Sequence, residues 1–374
     1  MTEPRRTKRV EAMVFRRKRK KTVLCSDAVP SALFLLLVFC IRASWGAPPE
    51  ALSHPNIVLI LIDDLGWSDL HCYGNSLIET PRIDKLASEG MLFTNAYAAA
   101  PVCSPTRAAL LTGKWPAALN LTDFIPGHSK PYAKLLPPRF YTRLPKWEET
   151  LAEALQKRGY ETGLFGKWHL GGGPKGPQSQ GFKVYFPWGK NTGDKQITAL
   201  TEACISFIRR NSHRPFFLLL SHYAVHIPLE APEALVKKYR KKAKAVNSKI
   251  NPLYAAMVER VDWSVGKVID CLEELRLLEK TCVIFTSDNG GLRRIFTGKG
   301  PFVTTNAPLR SEKGTLYEGG IRVPLIIRYP PLVSPGSFCT TPVSSIDIFP
   351  TCLDLAFVYR EAVSYTHLTL PTKA

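Results

Sequence analysis

Two short acidic clusters carry the donor chemistry of a metal site. Asp63-Asp64 and Asp288-Asn289 offer three carboxylates and one amide oxygen. Hard oxygen donors of this kind select Ca²⁺, and secondarily Mg²⁺, over zinc or copper. Without a cation, converging carboxylates repel and one of them holds its proton more tightly. Taken singly, Asp-Asp-Leu-Gly is a turn with a helix cap and Asp-Asn-Gly a common turn. Taken together, each directly after an apolar run, they favour a shared cation.

The second cluster is Cys103-Ser104-Pro105-Thr106-Arg107. Ser104 is suited to cap a helix and Pro105 to occupy its first position. Cys103 would then sit just before the helix N-terminus, where the dipole favours an anion. Arg107, about one turn along, would reach back toward it. Two further readings stay open: a half-buried structural cysteine with Arg107 on the surface, and a thiolate nucleophile. An oxidising compartment counts against the thiolate. Lys167 and His169 flank Trp168; two residues apart in extended chain, they face the same side. His226 precedes Ile227-Pro228, a rigid exit that keeps the backbone out of helix. Lys313, alone, reads as a surface lysine. A cation, fixed positive charges, two histidines and a nucleophile candidate suit attack on a tetrahedral oxyanion ester, sulfate or phosphate.

The elements that must position these residues are legible as apolar runs. Ile57 to Ile62 is continuous and β-branched, as in a strand buried on both faces. Gly163-Leu164-Phe165, Phe216 to Leu220, Cys282 to Thr286 and Leu325 to Ile327 read as further strands. Helical patterns run from Pro81 to Gly90, Leu151 to Arg158, Ile197 to Arg209 and Leu253 to Leu278. Strands alternating with helices predict an α/β fold, a mostly parallel sheet with helices on both faces. Ligands in such sheets bind outside the carboxyl ends of the strands. Asp63/Asp64, Lys167/His169, His226 and Asp288/Asn289 each follow one. Gly171 to Lys195 reads as a loop, and Lys237 to Lys244 as a solvated helix end.

The chain has 374 residues, 45% of them hydrophobic and 22% charged, enough for one large domain or two ordinary ones. Its net charge is +19. Residues 1–46 hold eleven Lys or Arg against three acidic residues, and the remainder is still basic, which fits anionic substrates. Within 1–46 a basic stretch precedes the apolar run Ala32 to Ile41 and the small residues Ser44, Gly46 and Ala47, the layout of a secretory signal. The run is short for a bilayer span, so membrane attachment is expected only through an uncleaved signal. A nucleic-acid reading of the basic run ranks below it. Of nine cysteines, Cys25 and Cys40 fall in this segment. If Cys103 is modified, six others permit up to three disulfides. Asn120-Leu121-Thr122 is an N-glycosylation sequon. Residues 364–374 look unlike the body.

From Pro55 to Leu355 the sequence resembles the type I sulfatases, the arylsulfatase A-like group of the alkaline phosphatase superfamily. Cys103-Ser104-Pro105-Thr106-Arg107 followed by Ala108-Ala109-Leu110-Leu111-Thr112-Gly113 resembles the signature that directs oxidation of cysteine to formylglycine. IDDLGWSDL, GKWHLG, SHYAVHIP, FTSDNGG and EKGTLYEGGIRVP are similar to family blocks in the expected order. The resemblance implies that Asp63, Asp64, Asp288 and Asn289, with the modified Cys103, hold calcium. It implies that Arg107 and Lys167 orient the formylglycine, that His169 contacts its hydrate and assists elimination, and that His226 and Lys313 bind sulfate and protonate the leaving oxygen. One hydroxyl of the hydrate attacks sulfur; the second drives release of sulfate. A formylglycine-generating enzyme is the implied maturation partner, a sulfated small molecule or glycan the substrate, and the secretory pathway, lysosomal or extracellular, the destination; no nucleic acid is implied.

Two departures from the pattern stand out. The segment between Phe182 and Ile197 is shorter than in most relatives, and the smaller C-terminal domain that the resemblance implies after Ser345-Ile346-Asp347 is expected to be truncated. Two other readings therefore remain: a phosphatase or phosphonate hydrolase of the same superfamily, and a shortened, inactive sulfatase-like binding protein.

Overall fold

The computed structural model describes residues 54–128, 134–135, 138–173, 176–189, 193–295 and 300–356. The N-terminal signal-like segment and the 364–374 tail lie outside the described residues. A nine-stranded sheet forms the centre. In chain order its strands are β1 (Asn56–Ile62), β2 (Met91–Tyr97), β3 (Glu161–Gly166), β4 (Val184–Phe186), β5 (Phe216–Ser221), β6 (Thr281–Ser287), β7 (Arg322–Arg328), β8 (Ser337–Cys339) and β9 (Val343–Ser344). Across the sheet they run β4-β3-β5-β1-β6-β7-β2-β8, with β9 also paired to β2.

Strand direction follows the connections. β4, β3, β5, β1 and β6 are mutually parallel, each reached through a crossover. β7 alone runs against its neighbours, antiparallel to both β6 and β2. The expected mostly parallel sheet is present, and β7 turns its far side into a mixed sheet. Its run Arg-Val-Pro-Leu-Ile-Ile-Arg is buried like a parallel strand, so apolarity carries no sign of direction.

Helices cover both faces: α1 (Pro81–Glu89), α2 (Cys103–Thr112), α3 (Leu151–Gln156), α4 (Ile197–Arg210), α5 (Glu233–Ala245), α6 (Pro252–Glu274), α7 (Glu318–Ile321) and α8 (Ile348–Leu355). The central strand β1 shows how the layers form. Val58, Ile60 and Ile62 pack with α1, α4, α5 and α6, while Ile57, Leu59 and Leu61 pack with α2, α3 and α8. Side chains alternate across a strand, so a run that is apolar at every position feeds two cores.

Three expectations are corrected. Lys237 to Lys244 is more than a solvated helix end: it makes up most of α5 into its last turn, and Val236, Tyr239 and Ala243 of that helix are buried while Lys238 and Lys242 reach Glu79. The Gly171 to Lys195 stretch holds strand β4. The described cysteines, Cys72, Cys103, Cys204, Cys271, Cys282, Cys339 and Cys352, are all free, so none of the three permitted disulfides forms among the described residues. No described helix is long and apolar enough to cross a membrane.

Candidate active site

The site assembles where the central parallel strands end. β1 runs into Asp63 and Asp64, β3 into Lys167, β5 into the loop bearing His226, and β6 into Asp288 and Asn289. Backbone bonds stitch these ends together: Asp63 N–H donates to Ala224 O, Lys167 N–H to Ser221 O and Asp288 N–H to Ile62 O, at 2.9, 2.8 and 3.1 Å. Asp64 and His169 both adopt left-handed backbone, φ 65° and 58°. Non-glycine residues hold that conformation only where the surroundings enforce it, and such residues cluster at functional sites.

Cys103 is the first residue of α2 itself, following Val102, which makes no side-chain cap. The helix therefore begins two residues earlier than the Ser104-Pro105 pattern predicts. Ser104 does not cap it: its Oγ accepts the Ile125 N–H at 3.0 Å. Thr106 Oγ1 instead donates to Ala100 O at 2.9 Å, tying the first turn to the chain before it. The Cys103 thiol is buried and donates to Asp63 Oδ1 at 3.4 Å. Burial pushes its pKa far up, and Asp288 adds to the effect. Burial therefore disfavours the thiolate of an unmodified Cys103, against the opposing pull of Lys167 and Lys313.

Arg107 lies in the core of the site, 3% exposed. Its Nε donates to Asp288 Oδ2 at 2.8 Å, and its Nη1 to Lys167 O at 2.9 Å and Ser221 Oγ at 2.6 Å. Lys167 Nζ meets Asp63 Oδ2 at 2.6 Å, and Lys313 Nζ meets Asp64 at 2.7 Å. Three buried carboxylates thereby face three fixed cations. Burial alone would raise the Asp63 carboxyl, but Lys167, His226, Arg107 and Lys313 outweigh it and hold it well below the usual range. For Asp288 burial prevails over Arg107 and the carboxyl is raised. A buried ion pair keeps its charge only where partners compensate desolvation, as they do here.

Ligand atoms of Asp63, Asp64, Cys103 and His226 all lie within 4.8 Å of one another. Asp288 is turned to Arg107 and accepts the Asp64 N–H at 3.2 Å. Asn289 Nδ2 donates to Asp64 Oδ1 at 2.8 Å, while its Oδ1 is buried without a hydrogen-bond partner. An orphaned buried carbonyl oxygen beside converging carboxylates fits a hard divalent cation, which would supply the missing partner.

His169 Nε2 lies 2.7 Å from Ile125 O. A carbonyl only accepts, so Nε2 carries the proton and Nδ1, buried without a partner, keeps its lone pair. Burial, reinforced by Lys167, pushes this imidazole down to about 4. Its left-handed backbone means that strand alternation does not account for its placement beside Lys167. Ser221, Tyr185, Trp188, Lys195 and Tyr223 also belong to the site or its cavity, and the sequence patterns single out none of them. Ser221 ends an apolar strand at the carboxyl edge, which is the signal that points to it.

The Sulfatase family model matches residues 55–358. Human N-acetylgalactosamine-6-sulfatase is 32% identical over 348 residues, covering 83% of this chain and 63% of that protein. Human arylsulfatase A is 33% identical over 349 residues, covering 81% of this chain and 64% of that one. The chain thus spans just under two thirds of the length of these two relatives. The solved structure of Ps i-CgsB in complex with k-i-k-neocarrahexaose is similar, with a TM-score of 0.70 and 31% identity, covering 83% of this chain and 73% of that one. The phosphonate monoester hydrolase of Agrobacterium radiobacter shares the fold, with a TM-score of 0.58 and 21% identity over 81% of this chain and 74% of that one.

Proposed function

The chain belongs to the sulfatase family, and on that premise we propose that it hydrolyses sulfate esters to an alcohol and inorganic sulfate, using Cys103 after its conversion to formylglycine. The observation that carries this reading is Cys103 itself. It opens a buried helix, touches Asp63, and lies among three carboxylates and three cations, yet its thiol is held protonated by burial. A buried cysteine at a helix start, ringed by this many charged side chains, supports a residue that acts in a modified form.

Asp63, Asp64, Asp288 and Asn289 would hold calcium, with His226 at the margin. When bound, the cation draws electron density from a sulfate oxygen, and the formylglycine supplies two hydroxyls on one carbon, one for attack on sulfur and one for release of sulfate. The remaining work falls to this chain's own side chains. Arg107 fixes Asp288 and the Lys167 backbone relative to α2. Lys167, with Arg107, orients the formylglycine, while Lys313 with His226 binds the sulfate, and each such contact aimed at developing charge is worth roughly 10²- to 10³-fold in rate. His169, neutral with Nδ1 unprotonated, accepts a proton. His226, partly exposed at the cavity wall, donates one to the departing oxygen. The maturation partner is a formylglycine-generating enzyme, and the route is secretory. Asn120 is exposed, as a glycan acceptor requires; endoglycosidase treatment of secreted protein would reveal it by a mobility shift absent from Asn120→Gln.

Hydrolysis of an aryl sulfate and the matching aryl phosphate, with calcium and with chelator, tests the proposal. We expect calcium-dependent sulfate release, slower phosphate release, and loss of turnover in Cys103→Ser, which lacks the second hydroxyl. Preference for phosphate, or full activity in Cys103→Ser, would overturn it.

A further inference from the structure

A cavity of about 450 Å³ opens beside the site. Its lining includes the site residues Asp63, Lys167, His169 and His226 and, beyond them, Tyr185, Trp188, Lys195 and Tyr223. The two groups differ in how their charges are satisfied. Lys167, Arg107 and Lys313 each meet an aspartate within 2.8 Å. Lys195 makes its hydrogen bond to a neutral group, Pro228 O, at 2.7 Å. An ammonium has three donors. Its residue is only 5% exposed, and its Nζ stands 5.7 Å from the centre of the Trp188 ring. Burial lowers its pKa, and the charges of Glu230 and Asp63 act against that while Lys167 adds to it.

The aromatic wall is equally specific. Trp188 stands edge-on to Tyr223, ring centres 4.6 Å apart, and stays 40% exposed. A large ring left open inside a cavity, braced by a second ring, presents a flat apolar face to a ligand. The chain holds these groups at conformational cost. Lys195 and Gln196 are consecutive left-handed residues, φ 56° and 60°, and the Gln196 Oε1 accepts the Gly189 N–H at 3.0 Å, closing the loop. Strain of this kind persists where a site needs a side chain aimed in one direction.

We propose that the Trp188–Lys195 wall is the leaving-group subsite, and that the alcohol released is a saccharide bearing a second anionic group. The sugar ring lies against Trp188, and its carboxylate or second sulfate meets Lys195, while the ester to be cleaved points to Cys103. The proposal rests on the sulfate-ester reading above. A purely aromatic or sterol alcohol would use Trp188 but leave Lys195 facing apolar surface. A charged sugar uses both.

The test compares kcat/KM for a hexosamine 6-O-sulfate, the same sugar carrying an added N-sulfate, and an aryl sulfate, with the full chain and calcium. The doubly charged sugar should be preferred over the singly charged one by about tenfold or more, the scale of one charge-assisted contact. Lys195→Met should bring that ratio to unity, Lys195→Arg should keep most of it, and Trp188→Leu should weaken both sugars relative to the aryl sulfate. Equal treatment of the two sugars by the wild type, or a preference that survives Lys195→Met, overturns the proposal. Hydrolysis of the aryl sulfate with neither sugar accepted also overturns it, yet leaves the hydrolase reading standing. If no ester is cleaved, that reading fails, and calorimetric titration of Cys103→Ala with the two sugars decides the subsite by the same affinity ratio.

Discussion

At the residue scale, the site is held together by one guanidinium. Arg107 joins α2 to the ends of β6, β3 and β5 through Asp288, the Lys167 carbonyl and Ser221. A lysine keeps the charge but lacks the planar fork that reaches three partners. Arg107→Lys should therefore lower kcat by about 10²-fold or more, and lose stability approaching the roughly 3–5 kcal/mol of a broken buried pair. Steady-state kinetics and urea unfolding measure the two; an unchanged kcat would show that charge alone suffices. The residue types were legible in the sequence because Asp, Asn, Cys and Lys after apolar runs have few bland explanations in combination. Their partners were not. That Asp288 would face Arg107, and that Asn289 Oδ1 would be left unpaired, depends on rotamers and on strand ends far apart in sequence. Trp188 and Lys195 were hidden for the same reason: the sequence carrying them has no periodicity, and only the folded chain brings them to the cavity that Lys167 also lines.

At the element scale, the buried strands announced themselves and the partly buried ones did not. β1, β5 and β6 are buried at every position, and their apolar runs fix them to within a residue or two. β2, Met-Leu-Phe-Thr-Asn-Ala-Tyr, is mostly half-buried and mixes in polar residues, so no run marks it. The extent of α5 was masked by its lysines, two of which, Lys238 and Lys242, set their ammonium groups over the Tyr239 ring while pairing with Glu79. The ends of β3 and β5 are packed so closely that one glycine decides their spacing. Gly166 has φ 108°, and a Cβ there would fall 2.0 Å from Ser221 O. Gly166→Ala should cost at least ~1–3 kcal/mol and shift Lys167 away from Asp63, lowering both the urea midpoint and kcat. Wild-type values for both would contradict the close-packed junction described above.

At the scale of the whole molecule, two buried histidines make acid destabilising, against the opposite contribution of Asp262, whose carboxyl burial pushes up to about 7. Burial pushes His222 down to about 3 and His169 down to about 4, whereas both lie near ~6.5 in the unfolded chain. Between those values the unfolded state binds protons that the folded state refuses, so stability rises with pH there. The contribution is fully present above about 6.5 and is lost as pH falls toward 4. Thermal unfolding across that window should show His222→Gln gaining in midpoint relative to the wild type as pH falls; a difference that does not change with pH would contradict the histidine contribution. The same layered fold gathers ten candidate site residues from a span of some 250 positions, so the Cys103 to Gly113 stretch marks only part of the site and the strand ends had to be read together. The central claim concerns Cys103, and its most direct test is the mass of the peptide Leu86–Arg107 from catalytically active protein secreted by a eukaryotic host. The account predicts an aldehyde in place of the thiol. Active protein whose Cys103 is a thiol throughout would contradict it.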